Sequence, residues 1–353
     1  MSDQILIEKM EDNQYNAGPK ARRDIFAFLS EQGYEYTEMF KRSDNIFSML
    51  LHITSAIDSI YYKVNMGDMI IIQYPYRLVL FNYIIKRLRK ICNKKGSKIV
   101  VIIHDVHYLR KDINKFQSLN KCCQDEIKAF NNADYIISHN KSMTKNLIKN
   151  GCTAIIKEQG IFGYKYYGIT KHQTFDPNKI KIIIAGNLSK KKSGFIYTCP
   201  EASNVIFNLY GSGYEKQDKH SIIYNGAFPP DKLIDNLDGN FGLVWDGPTF
   251  KTCGGNYGKY LRYNSPHKLS LYIAAGLPII IWNEAALANF VETNNIGLCI
   301  SSLNQITTVL SNLTAKNYND MVKNVSKLRY SILNGINLKN VILHIHKDIC
   351  DHM

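Results

Sequence analysis

The chain has 353 residues, 45% hydrophobic, 21% charged and 11% aromatic, a composition that excludes a disordered polypeptide and a fibre. At roughly 150 residues per domain the length predicts two domains, each able to bury a core without metal or disulfide. Forty-four basic residues against 30 acidic ones give a net charge of +14, which implies an anionic partner: nucleic acid, phosphorylated substrate or acidic lipid.

The apolar runs, such as Ile99 to Ile103 and Leu277 to Trp282, fall far short of the ~20 residues that span a bilayer. The start, MSDQILIEKMEDNQ, carries acids where a secretory signal has a basic start and an apolar stretch. A cytoplasmic protein is expected. Its eight cysteines show no CxxC spacing and read as reduced thiols packed as small hydrophobes.

Short β-branched runs alternate with longer helical patterns, the rhythm of βαβ units around a parallel sheet, so the fold class is α/β. The first half carries candidate strands at Ile5 to Met10, Tyr34 to Phe40, Met69 to Gln73, Lys98 to Ile103, Tyr135 to Ser138 and Ala154 to Lys157. A polar segment with a proline, Thr170 to Asn178, marks the expected boundary. Strands are then expected at Ile180 to Ala185, Val205 to Tyr210, Ser221 to Tyr224, Phe241 to Trp245, Pro278 to Trp282 and Leu298 to Ser301, and helices from Lys316. This order predicts two Rossmann-like domains with a ligand-binding cleft beyond the carboxyl ends of their strands.

The candidate chemistry begins at NAGPKARRD, Asn16 to Asp24. Gly18 permits a tight turn there, and the amides of the next helix with Lys20, Arg22 and Arg23 form an anion site; an ordinary strand-to-helix turn with a solvated basic face explains the same residues. Tyr76 to Cys92 is aromatic and apolar, with Lys86, Arg87, Arg89 and Lys90 near its end and Lys94, Lys95 and Lys98 beyond. Its apolar face is expected to pack on the sheet, and its basic cluster to favour an anionic membrane surface. VIIHDVHYLR places His104, Asp105 and His107 after a buried-looking strand. A carboxylate there suits a general base oriented by a neighbouring histidine or arginine; the alternative is an Asp105 cap and histidines bonded to loop carbonyls. Asn140, at the tip of the next strand, reads as a helix cap.

In the second half, AGNLSKKK carries Gly186, Asn187, Lys190 and Lys192 out of a strand, a pattern suited to a diphosphate or to a solvated face. Tyr210 lies against a base or sugar, or in the core. The dinucleotide pattern GxGxxG is absent, since Gly211 and Gly213 are followed by Glu and Lys where the third glycine belongs, which argues against an NAD enzyme. Gly254, Gly255 and Gly258 suggest a mobile loop. In NSPHKLSLYIAAGLPIIIW, which starts at Asn264, Pro266 opens a helix with His267 and Lys268 in its first turn. A lysine there opposes the helix dipole and invites an anion. Asn283, Glu284, Ala285 and Ala286 are expected to start another helix whose free amides face the same cleft. A DxD pair is absent from the chain, so no metal is expected.

The segments HDVHYLR, DYIISHNKSMTKNL, AGNLSKKKSGFIYT, FGLVWDG and NSPHKLSLYIAAGLPIIIWNEAALANFVETNNIG resemble those of bacterial galactofuranosyltransferases that build O-antigen and other surface polysaccharides. They are more distantly similar to the glucosyltransferases that extend glycans on serine-rich repeat adhesins. The resemblance implies the GT-B fold, with an acceptor domain over 1–172, a nucleotide-sugar domain over 180–315 and helices over 316–353 that cross back to the first. It implies donor contacts from Asn187, Lys190, Tyr210 and Lys268; with the candidates read directly from the sequence, the expected donor site comprises these and Gly186, Asn264, His267, Glu284, Ala285 and Ala286, and the expected acceptor-side loop Asn16, Gly18 and Lys20. Lys190 stands where an arginine is common, so it keeps the charge and loses the bidentate geometry. The base assignment stays open among Asp105, His104 and His107, the last standing where some relatives carry an acid.

The reaction so implied is inverting, metal-independent transfer of galactofuranose from UDP-galactofuranose to a hydroxyl of a lipid-linked surface glycan. The alternative is a UDP-glucose-dependent glucosyltransferase acting on a protein-linked or lipid-linked glycan. A peripheral position on the inner face of the plasma membrane fits either. A nucleic-acid-binding protein would share the basic charge but has no motif here, and a catalytically idle partner of another transferase is a third class. Exposed helices leave room for a homo-oligomer that no motif specifies.

Overall fold

The computed structural model describes residues 3–9, 17–41, 46–75, 78–111, 118–170, 174–199 and 204–352. The chain divides into two compact units. One comprises Met1–Asn13, Arg22–Gly160 and Asn337–Met353; the other comprises Gln14–Ala21 and Ile161–Ile336.

The first unit is built on β1 (Gln4–Lys9), β2 (Glu35–Lys41), β3 (Met69–Tyr74), β4 (Lys98–Ile103), β5 (Tyr135–Ser138) and β6 (Ile155–Glu158). These form one sheet in the order β2-β1-β3-β4-β5-β6, with every pair parallel. The order reverses between β1 and β3, the switch point of a doubly wound sheet. MIIIQY of β3 is buried throughout and KIVVII of β4 almost so, because helices cover both faces of a parallel sheet and no polar alternation survives. The helix Leu78–Lys95 contributes Phe81, Ile84, Ile85, Leu88 and Cys92 to that cover. Each fully buried large aliphatic or Phe side chain in such a layer stabilises the fold by about 1.5–3 kcal/mol. The last helix, Ile336–Asp351, buries Leu338, Val341, Ile342, Ile345 and Ile349 and belongs to this unit. His346 pairs with Asp3 at 2.7 Å and Lys339 with Glu31 at 3.4 Å.

The second unit contains β7 (Ile180–Ala185), β8 (Val205–Tyr210), β9 (Ile222–Tyr224), β10 (Phe241–Val244), β11 (Ile279–Trp282) and β12 (Gly297–Ile300). Their order is β12-β11-β10-β7-β8-β9, again parallel throughout, with its switch point between β7 and β10. Trp245, Trp282, Tyr210, Tyr272, Phe195 and Phe241 are its largest fully buried side chains. Both units are thus Rossmann-like α/β layers, as the strand rhythm predicts and as the GT-B class requires.

Three local expectations are corrected. Residues 283–287 are turns, and the helix starts at Ala288. The Gly254 region is ordered: Gly254 precedes a helix, Gly255–Tyr260, inside which a Cβ on Gly258 would lie 2.5 Å from the Cys253 carbonyl carbon. Gly18 and Lys20 sit in the helix Ala17–Ser30 and not in a loop. Among the described residues no helix is long and apolar enough to cross a membrane.

Candidate active site

β7 and β8 end side by side, with Ala185 opposite Tyr210, and each strand runs into a glycine. Gly186 has φ +121°, and a Cβ there would meet only open space. Gly211 has φ +147°, and a Cβ there would stand 1.7 Å from the Gly186 carbonyl oxygen, so only glycine fits. Beside this close approach lies a cavity lined by Lys20, Tyr164, Ala185, Gly186, Tyr210, Gly211, Phe228, Pro230, Leu233, His267, Lys268 and Leu271. Every one of these residues belongs to the second unit. Five candidates scattered through the sequence, Lys20, Gly186, Tyr210, His267 and Lys268, therefore share one wall-to-wall site at the carboxyl edge of the sheet.

Lys268 lies in the first turn of the helix His267–Ala274, after Pro266. Its Nζ donates to the Trp245 carbonyl at 3.2 Å and to Oδ1 of Asp246 at 2.8 Å. The two side chains are only 12% and 7% exposed. The chain itself thus supplies an anion for a lysine placed against the helix dipole. Asp246 follows the end of β10 and was absent from the sequence candidates; its only sequence signal is an acid directly after the apolar run FGLVW.

His267 is half-buried, and desolvation, reinforced by the Lys20 charge, pushes its pKa down to about 4 despite a hydrogen bond to the Gly163 backbone. The ring is therefore neutral near pH 7. Its Nε2 is buried without a hydrogen-bond partner, and the ring lies 5.1 Å from that of Tyr164. Lys20 is 3% exposed, donates to the Lys165 carbonyl at 2.7 Å, pairs with Asp231 at 3.0 Å and lies 4.7 Å over the Tyr164 ring. Its place is this cavity, not a loop of the first unit. Tyr210 is buried; its hydroxyl accepts the Asp238 amide at 3.0 Å, so the ring is what it offers the cavity.

The remaining second-unit candidates do not line the cavity. Asn187 accepts the Ser189 amide at 2.9 Å in a local turn. Lys190 is exposed and pairs with exposed Glu215 at 2.5 Å, which raises its pKa. Asn264 is half-buried, with Oδ1 buried and unpartnered. Glu284 is exposed and holds Arg262 at 2.5 Å. The amides of Ala285 and Ala286 are not free: they donate to the Trp282 and Leu261 carbonyls at 3.0 and 2.8 Å. The turn that precedes the helix consumes those donors, which is why the expected anion-binding helix start is absent.

In the first unit the carboxyl edge of the sheet carries acids and histidines instead. His104 follows β4 and its Nε2 meets Oε1 of Gln73 at 2.7 Å. Asp105 is partly exposed, and its Oδ2 accepts from Arg110 at 2.7 Å. Behind them His139 bonds the Ile103 carbonyl at 3.0 Å, and desolvation lowers its pKa to about 4. His107 starts a short helix, and its amide donates to Oε1 of Glu126 at 2.9 Å. Its Nδ1 is buried without a partner. Fully buried Glu126 also accepts from the Tyr74 hydroxyl at 2.5 Å and the Tyr108 amide at 2.8 Å. It anchors the loop that carries Asp105; in the sequence Glu126 is one charge on an amphipathic helix. Asn140 caps the helix Lys141–Lys149 as expected, accepting the Ser142 and Met143 amides at 3.0 and 3.2 Å. Asn16 lies outside the described residues.

Both Rossmann-like units have counterparts among known proteins. The glucosyltransferase 3-like N-terminal domain matches residues 4–161, and the glucosyltransferase 3-like C-terminal domain matches residues 182–345. The chain belongs to the glucosyltransferase 3-like family. It is 34% identical over 256 residues to the β-1,6-galactofuranosyltransferase WbbI of Escherichia coli, covering 71% of this chain and 72% of that protein. It is 26% identical over 298 residues to glucosyltransferase 3 of Streptococcus gordonii, covering 82% and 83%. Among solved structures it is similar to the sucrose-phosphate synthase of Thermosynechococcus elongatus, with a TM-score of 0.65 at 12% identity over 100% of both chains, a likeness of fold. This glucosyltransferase 3-like chain is thus a glycosyltransferase whose two family domains occupy nearly its full length.

Proposed function

We propose that the protein transfers a glucosyl unit from UDP-glucose to a hydroxyl of a protein-linked or lipid-linked glycan. The observation that carries the nucleotide-sugar reading is the cavity itself, where Lys268 and Lys20 stand beside the Gly186 turn. In this reading the acceptor oxygen attacks the anomeric carbon as its bond to the diphosphate breaks. The two ammonium groups hold the charge that develops on the departing UDP, the role a metal ion fills elsewhere. Neutral His267 offers its unpartnered Nε2 as an acceptor to a hydroxyl of the donor, and Tyr210 with Phe228 forms an apolar wall for the base or sugar. Asp105, held by Arg110, takes the acceptor proton.

Glucose as the sugar is supported by both family domains and by the streptococcal relative. Galactofuranose, from UDP-galactofuranose onto a surface polysaccharide, is the second reading, favoured by the 34% identity to the E. coli galactofuranosyltransferase. A metal-free donor comparison tests them, with UDP-glucose, UDP-galactopyranose and UDP-galactofuranose generated in situ by a mutase, each against simple glycoside acceptors. Product from UDP-glucose without the mutase is expected. Product only with the furanose donor replaces the first reading by the second, and no product from any UDP-hexose defeats both.

A further inference from the structure

Within the first unit, the helices Ile46–Lys63 and Leu78–Lys95 lie side by side. Arg87 joins them through Asp58 at 2.6 Å, Thr54 meets the Tyr83 hydroxyl at 2.8 Å, and Lys95 lies 4.4 Å over the Tyr61 ring. Their inner faces bury Ile53, Ile57 and Ile60 on one helix and Phe81, Ile84 and Leu88 on the other. Their outer faces are of a different kind. Phe47, Leu51 and Tyr62 recur at helical spacing on the first helix with exposures of 75%, 72% and 86%, and Met66, just beyond it, is 73% exposed. The second helix contains six basic residues and no acid. Arg87 and Arg89 are consumed by Asp58 and Asp134, while Lys86, Lys90 and Lys94 point outward along one exposed stripe.

We propose that this two-helix face docks on an anionic lipid membrane surface. Exposed large apolar side chains scattered singly need no partner, but three on one helix face, with a fourth in the turn beyond it and a lysine stripe on the neighbouring helix, do. A bilayer interface accommodates both sets: the apolar tips enter the headgroup boundary while the lysines meet anionic headgroups. A nucleic-acid backbone would leave Phe47, Leu51 and Met66 without a use, and a second copy of the chain in a two-fold contact would oppose lysines to lysines. The apolar face of the Leu78–Lys95 helix stays in the core, so only side-chain tips, not the helix, enter the lipid. The proposal does not depend on which sugar is transferred, because adsorption is measured without donor or acceptor.

The test is co-sedimentation of the full chain with phosphatidylcholine vesicles with and without phosphatidylglycerol, over a salt series. Binding is expected only with phosphatidylglycerol and is expected to weaken as salt rises. Combined Lys86→Gln, Lys90→Gln and Lys94→Gln substitution should lower the partition coefficient on the order of 100-fold, about 5-fold per lysine, the equivalent of about 1 kcal/mol each. Leu51→Ser should weaken binding at every salt concentration. A Phe47→Trp probe should shift to shorter wavelength on binding, over a constant background from buried Trp245 and Trp282. Thermal unfolding and turnover of a soluble acceptor should be unchanged in all these variants. Equal binding to neutral vesicles, full binding by the triple variant, or a dimer in sedimentation velocity that Leu51→Ser dissolves would each overturn the proposal.

Discussion

The carboxyl edges of the two sheets have the same topology of parallel strands and opposite chemistry. The second unit presents glycines, lysines and aromatic walls around one cavity; the first presents Asp105 and His104, with His139 and Glu126 buried behind them. The difference is what the proposed division of a transfer reaction rests on. A cationic, apolar edge suits a nucleoside diphosphate, and an edge of carboxylate and imidazole suits proton removal from a hydroxyl. In both, the groups offered to a ligand are held by groups that are not: Asp246 holds Lys268, and Glu126 holds the loop of Asp105.

The largest expected effect falls on the cationic edge. Lys268→Ala should lower kcat by about 10²–10³, as loss of one stabiliser of developing charge does. It should also cost about 3–5 kcal/mol of stability by leaving Asp246 buried and unpaired. Adding Asp246→Asn to Lys268→Met should restore the urea midpoint but not turnover; recovered turnover would show that the ion pair serves the fold alone. On the acidic edge, Asp105→Asn should lower kcat by about 10²–10⁴ with little change in donor KM. Unaltered turnover would move the base to another residue.

A smaller effect, common to the two edges, is on stability as a function of pH. His139 is nearly fully buried, and its native pKa of about 4 lies below the 6.5 of an unperturbed imidazole. Below pH 6.5 the unfolded chain takes up a proton that the folded chain refuses, so stability is full above 6.5 and is lost as pH falls through the window to about 4. At about 1.4 kcal/mol per unit the loss amounts to about 3 kcal/mol. Urea unfolding across that window should show it, and His139→Gln should reduce it without abolishing it, because His267 acts with the same sign. The smallest effect is that of Lys190→Ala. Lys190 is exposed, pairs with exposed Glu215 and does not line the cavity, so donor KM should change little. A loss as large as that of Lys268 would bring Lys190 into the diphosphate site after all.

Legibility followed the range of the interactions. Strands such as IKIIIA and KIVVII, the Asn140 cap and the helix opened by Pro266 rest on neighbours in the chain, and each stands within a residue or two of its expected place. The expected helix start at Asn283 failed because the Ala286 amide finds the Leu261 carbonyl, 25 positions back. No periodicity encodes that bond. The glycines around Gly258 read as a loop because glycine is a weak helix former; the close approach of the Cys253 and Asp246 backbone, which no side chain at 258 would permit, is invisible in the sequence.

By itself the sequence determined the α/β class, the alternation of strands and helices, and the residue types from which a diphosphate site and a base can be made, because hydrophobic period and turn chemistry are local. The tertiary structure decided which of those residues meet. It joined Lys20 to Lys268 across 248 positions of chain, left Lys190 and Glu284 on the surface, and supplied Asp246 and Glu126 as buried counter-groups. A charge in a sequence has no environment. Burial and the partner set its energy, and both come only from long-range packing.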